Sequence, residues 1–203
     1  SAVWSSAIGA VAASPFGSAM ILPISYGYIK MLGREGLRSA TEYAILNANY
    51  LKSKLEGHYK ILYTGKTGRV AHEMILDCNQ YLKTADIMVV DIAKRLMDFG
   101  FHAPTVAFPV IGTLMVEPTE TEPLSELDRF IEAMITIRKE IRLVEEGKCP
   151  KDDNKIKHAP HTLAMIMDED WKFPYSKKDA AFPNGVPERD KYWPDVTRID
   201  DAY

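Results

Sequence analysis

Between Ser1 and Ile29 the chain carries no Asp, Glu, Lys or Arg, and Lys30 is its first charged residue. Charged residues make up 26% of the 203-residue chain and are dense beyond that point. An uncharged start of this length is not the sequence of a solvated loop. It faces lipid, or it is buried against a large surface. A membrane-spanning helix needs roughly 20 mostly apolar residues in succession. Gly9, Ser14, Pro15, Gly17, Ser18 and Pro23 interrupt every such window here. A secretory leader would show basic residues before an unbroken apolar core and a small-residue cleavage site after it, and neither is found. The stretch reads as protein-facing, part of a longer polypeptide whose remaining surface would cover it.

The rest is of ordinary globular composition, 46% hydrophobic with a net charge of −3. Its length suits one domain with appendages or two small ones, and a domain of about 150 residues buries enough surface to need no covalent staple. A net charge of −3 with mixed signs argues against a nucleic-acid footprint, which would show as a basic face. Cys78 and Cys149 form no motif and read as reduced thiols of an intracellular protein.

Three regions separate by composition. Residues 1–36 form the uncharged loop and an apolar helix, Ser18 to Leu32, stopped by Gly33; Pro23 kinks it unless it falls in the first turn. Residues 37–147 alternate helical and strand patterns. "LRSATEYAILNANYLKSKLEGH" places Leu37, Ala40, Ala44, Ala48, Leu51 and Leu55 near one helical face, with Gly57 as a stop. "YKILYT", "EMILDC" and "TLMVEP" read as strands. "MVVDIAKRLMDFG" turns Val89, Ile92, Ala93 and Leu96 inward and ends at Gly100. The longest helix starts at Leu124 with a stripe of Leu127, Phe130, Ile131, Met134, Ile135 and Ile141. This order predicts an α/β (α+β) domain, a short sheet covered by helices. Residues 148–203 have no sustained period but hold Trp171, Phe173, Tyr175, Phe182, Tyr192 and Trp193, too many large rings for a disordered tail. They read as an extended arm packed along the body.

Few segments carry chemistry. "HEMIL" at 72–76 lacks the second histidine of the zinc-protease helix, having Leu76 there. His158 and His161 in "HAPH" are too few ligands for zinc, and Pro160 disfavours a helix between them. In "SPFGS" at 14–18, Ser14 suits a helix cap, Pro15 a first turn, and Gly17 a close backbone approach beside the Ser18 hydroxyl. The spacing is that of a plain cap; the same residue types also make an anion site that suits a phosphate. His102, Thr105, Gly112, Thr113 and Glu117 lie in an otherwise apolar stretch, either as satisfied turn residues or as the rim of a pocket.

"AASPFGSAMILPISYGYIKMLG", "AILNANYLKSKLE", "GRVAHEMILD", "DIAKRLMDFGFHAPT", "GTLMVEPTETE" and "ELDRFIEAMITIRKEI" resemble, in order, the carboxy-terminal part of glycine cleavage system P-proteins, the glycine dehydrogenases (decarboxylating). "HAPH", "PYS", "AAFP", "YWP" and "RIDDAY" continue the resemblance to the end of the chain. It implies the small carboxy-terminal domain of a pyridoxal-phosphate enzyme of fold type I. It further implies glycine as substrate and lipoylated H-protein as acceptor of the aminomethyl group. The rest of the P-protein chain would be a partner, as a homodimer or two-half assembly. The cofactor lysine would lie before Ser1, leaving no catalytic residue in this stretch. Cofactor contacts would fall to Ser14, Gly17 and Ser18, and a pocket or domain interface to Phe16, His102, Thr105, Thr113 and Glu117. The setting would be bacterial cytoplasm or mitochondrial matrix, with no metal, membrane or nucleic acid involved. The rival expectation is a freestanding small α/β domain that binds a ligand or partner.

Overall fold

The structure is a computed structural model and describes residues 17–199. The chain forms two compact units, divided between Thr41 and Glu42. In the first, Ile21 and Leu22 donate their N–H groups to the carbonyls of Ser18 and Ala19, and helix α1, Ile21–Leu55, begins. Pro23 falls in its first turn, where a missing N–H breaks no helical bond. At Gly33 the backbone leaves the helical range (φ 62°, ψ −172°), but the helix resumes at once instead of stopping there. Glycine adopts a positive φ without steric cost, and the Arg, Glu, Leu and Ala that follow favour helix. Met20, Ile21, Leu22, Ile24, Tyr26, Ile29 and Met31 are each more than half exposed. No helix of the described residues is long and apolar enough to cross a membrane.

The second unit is built on a small antiparallel sheet of β1 (Lys60–Ile61), β2 (Met74–Asp77), β3 (Thr105–Val106) and β4 (Thr113–Val116), in the order β1-β2-β4-β3. Met74 pairs with Val116 and Asp77 with Thr113 across the central strands. The last turns of α1 bring Ala48, Leu51 and Leu55 to the core. They meet Ile92 and Leu96 of α3 (Val89–Asp98), and Leu127, Met134, Ile137 and Ile141 of α4 (Leu124–Glu145). The expected small α/β domain, a short sheet with helices over it, is the architecture found. A seven-residue helix that the sequence pattern did not signal, α2 (Asn79–Ala85), buries Tyr81 and Ala85. It is seated by Gly112, whose carbonyl accepts the Cys78 N–H at 3.0 Å. A Cβ on Gly112 (φ 79°) would stand 2.1 Å from Asn79 Oδ1, so only glycine fits.

Beyond α4 the chain forms three short α-helices, α5 (Lys155–His158), α6 (Leu163–Met167) and α7 (Lys177–Ala181), each started by a capping side chain: Asn154, Thr162 or Ser176. A buried ion network fastens them to the body. Arg95 on α3 has no exposed surface. Its Nε and Nη2 grip Glu140 at 3.0 and 2.9 Å, and Nη1 reaches Asp98 Oδ2 at 2.8 Å. Its remaining protons go to the carbonyls of Ala180 and Asp179 at 3.1 and 3.0 Å. All five guanidinium donors are thereby used. Asp98 in turn accepts the His161 N–H at 2.7 Å and faces His161 Nδ1 at 2.8 Å, while His161 Nε2 meets the Tyr175 hydroxyl at 2.9 Å. Both ring nitrogens of His161 are thus held by protein groups, which leaves none for a metal. Trp171, Phe173 and Tyr175 crowd the same histidine. Nearer the end, Arg198 binds buried Asp91 at 2.5 Å and the carbonyls of Ala159 and Ile156.

Removing one partner of such a cluster strands a buried charge, which costs about 3–5 kcal/mol. Arg95→Ala is therefore expected to lower stability to denaturant by that amount. Limited proteolysis should cut the variant within residues 148–199 before it cuts α4. Asp98 also sets an acid limit. Burial works to raise its pKa, but the hydrogen bond from His161 and the nearby Arg95 charge outweigh it, and the net shift is downward. The unfolded chain takes up this proton near pH 4. The contribution of Asp98 is therefore complete above that pH and is lost as the pH falls through the lower folded value. Acid titration of wild type and Asp98→Asn should differ there, the variant showing less loss.

Candidate functional site

Strands β3 and β4 pair so that Thr105 lies opposite Met115. That register places the loop before β3 beside the chain leaving β4, and between them and the start of α4 lies a cleft of about 510 Å³. His102, Thr105 and Glu117 all line it, although up to fifteen positions separate them in sequence. Its floor is apolar, made by Leu51, Phe101, Leu127 and Phe130. Phe101 and Phe130 meet edge to face at 5.4 Å, and the guanidinium of Arg129 lies 3.7 Å over Phe101. Arg129 is itself fixed by the Phe99 carbonyl at 2.6 Å and by Glu126 at 2.8 and 2.5 Å. That hydrogen-bonded pairing holds the Glu126 carboxyl below its ordinary pKa. Glu122 joins Glu117 and Glu126 on the rim.

A rim of three carboxylates and an imidazole over an aromatic floor suits an amine or a neutral polar group. It repels a phosphate. Sequence spacing did not bring out Glu122, Glu126 or the two phenylalanines, which carry much of the cleft; Phe130 showed only as part of a core stripe. Thr113 is not among the lining residues. It is buried at the entry end of β4, where its hydroxyl donates to the Val110 carbonyl at 2.6 Å. At about 3.3 Å per strand residue it sits roughly 13 Å from Glu117.

Of the cofactor-side candidates, Ser14 lies outside the described residues, as does Phe16 among the pocket candidates. Gly17 and Ser18 are exposed, just ahead of α1. Gly17 has φ 78°, and the space where a Cβ would stand is open.

The sequence model of the glycine dehydrogenase C-terminal domain matches residues 40–161, which include both central strands and all of α2, α3, α4 and α5. The chain belongs to that family. A glycine dehydrogenase (decarboxylating) from Flavobacterium johnsoniae is 61% identical over 197 residues, 97% of this chain and 20% of its own length. The enzymes of the same name from Bdellovibrio bacteriovorus and Variovorax paradoxus are 57% and 56% identical over 97% and 99% of the chain. The chain spans about a fifth of the length of these relatives. The ordered strings therefore identified the family correctly, and the cleft described above belongs to a glycine dehydrogenase C-terminal domain.

The floor and rim of the cleft have different structural weight. Phe130→Ala should cost about 3–5 kcal/mol, because it empties a packed aromatic position. His102→Ala, at an exposed position, should change stability by less than about 0.5 kcal/mol. Urea denaturation of the two variants checks both values.

Proposed function

We propose that the chain is the C-terminal part of a glycine dehydrogenase (decarboxylating), and that it completes the enzyme without supplying the group that binds the cofactor covalently. The observation that carries this reading is 61% identity across 97% of the chain with a relative of that name. The exposed apolar residues from Met20 to Met31 support a place inside a larger assembly over a freestanding domain. The substrate is then glycine, the acceptor of the aminomethyl group is the lipoyl arm of H-protein, and the compartment, for relatives that are bacterial, is the cytoplasm. The rest of the P-protein chain, as a homodimer or two-half assembly, is the surface that covers α1's start.

Pyridoxal phosphate is the cofactor in this reading. The residues on hand fit its phosphate: Gly17 has an open left-handed backbone, and Ser18 sets a hydroxyl at the approach to a helix start. Backbone N–H groups and small hydroxyls there favour an anion. When bound, the cofactor supplies an electron sink for the pair released as carbon dioxide leaves glycine. Gly17, Ser18 and Ser14 would hold the phosphate. The His102–Glu117 cleft would not, given its carboxylates; we assign it to the substrate or partner side, where the rim orients an amine and the aromatic floor excludes water.

In the full-length enzyme, carbon dioxide release from carboxyl-labelled glycine with pyridoxal phosphate and lipoylated H-protein tests the activity; a folded, cofactor-loaded protein that releases none contradicts it. The phosphate contact has its own test. Gly17→Val forces a β-branched residue into a positive-φ position and should weaken cofactor retention more than Ser18→Ala does. The serine change removes one charged hydrogen bond, about 1.5–3 kcal/mol. If Gly17→Val unfolds the protein and leaves cofactor retention unchanged in the folded fraction, the segment is a plain helix cap.

A further inference from the structure

The second unit holds another cleft, of opposite charge to the first. It opens between the last turns of α1, edge strand β1, α2 and the C-terminal turns of α4, with a volume of about 690 Å³. Lys52, Lys60, Arg138 and Arg142 line it together with His58, and Glu56 is the one carboxylate on its wall. The net charge of the whole chain is −3, so this is a local concentration of positive charge and no consequence of composition. Arg138 and Arg142 stand one helical turn apart on the same face of α4.

The cations differ in how fully they are engaged. Lys52 is paired with Glu56, and Lys60 reaches Asp77 at 3.3 Å while its own side chain stays largely exposed. Arg138 binds Glu145 through Nη2 at 2.9 Å and lies 4.8 Å over the Tyr81 ring, but its buried Nη1 has no hydrogen-bond partner. Arg142 is exposed, and among the described residues no carboxylate lies within 4.0 Å of its guanidinium. The backbone adds a donor. The Leu62 N–H points across the sheet to the Ile75 carbonyl, so the amide of Ile61, one residue earlier, faces the unpaired edge of β1, where Ile61 lines the cleft.

We infer that this cleft binds a small multivalent anion, a polyphosphate or polycarboxylate, through Arg142, Lys60, Arg138 and the edge of β1. Its volume lies within the roughly 300–1,000 Å³ usual for small-molecule sites. A single orthophosphate would occupy a small part of it and meet only some of the cations. An anion with two charged ends can reach Arg142 on α4 and Lys60 on β1 together. The site is separate from the His102 cleft, with which it shares no lining residue, and the inference does not depend on the glycine chemistry.

Calorimetric titration of the full chain with sodium pyrophosphate, and separately with citrate, tests the proposal and separates its two sources. Saturable binding of either is expected, tighter than that of orthophosphate, and weakened when salt is raised from about 0.05 to 0.5 M. Arg142→Gln and Lys60→Gln each remove an exposed cation and should weaken it at least about tenfold with an unchanged circular dichroism spectrum. These two variants keep the test valid even if Arg138→Gln fails to fold. No saturable binding of pyrophosphate or citrate up to about 10 mM, far weaker than a charge-paired site gives, would overturn the proposal. So would binding that both variants leave unchanged.

Discussion

A guanidinium with no exposed surface decides how the second unit is put together. Arg95 sits on α3, yet its partners come from α4, from its own helix one turn on, and from two carbonyls within α7. Burying a charge is unfavourable unless every donor finds an acceptor. Here every donor does, and the geometry that allows it exists only when residues 148–199 lie in one place. The network contributes little net stability by comparison with an apolar core of equal volume. Its effect is positional: any other seating of α7 would leave Arg95 short of acceptors. Asp98 extends the constraint to His161, and through His161 to Tyr175 and the surrounding rings. Arg198, bound to Asp91, closes the last stretch against the start of α3.

With that part of the chain fixed, the sheet end is free to carry two clefts of contrasting character. One has carboxylates and an imidazole over aromatic rings; the other has lysines and arginines beside an unpaired strand edge. Both draw on α4, the first on its opening turns and the second on its closing ones. A single long helix packed on a short sheet therefore presents two surfaces that select opposite charges.

The long helices were legible because their apolar residues repeat with helical spacing and because Gly57, Gly100 and Gly147 follow their ends. Ile137 belongs to the α4 stripe as well: it is fully buried, three residues after Met134 and four before Ile141, and so lies on the same helical face. The strands were found but read too long. Of "YKILYT", only Lys60 and Ile61 form strand β1, with one further bond from the Leu62 N–H to the Ile75 carbonyl. Helix α2 is too short to show a period, and β3, at two residues, shows no alternation. Nothing in "AKRLMD" marks Arg95 as buried, since charged residues are usually exposed; apart from Asp98, its acceptors lie 45 to 85 positions away. His102, Thr105 and Glu117 were chosen for chemistry in an apolar stretch, and strand pairing brings them to one cleft. Thr113 came from the same stretch but sits at the other end of β4.

The central claim is that the buried ion network, more than local helix propensity, holds residues 148–199 on the body. Amide hydrogen exchange tests it most directly, because the His161 N–H is bonded to Asp98 Oδ1 at 2.7 Å. In the native protein this amide and those of α7 should exchange as slowly as the core amides of α3. In Arg95→Ala they should exchange orders of magnitude faster while α4 keeps its protection. Fast exchange of the His161 and α7 amides in the native protein, or protection that Arg95→Ala leaves untouched, would contradict the account.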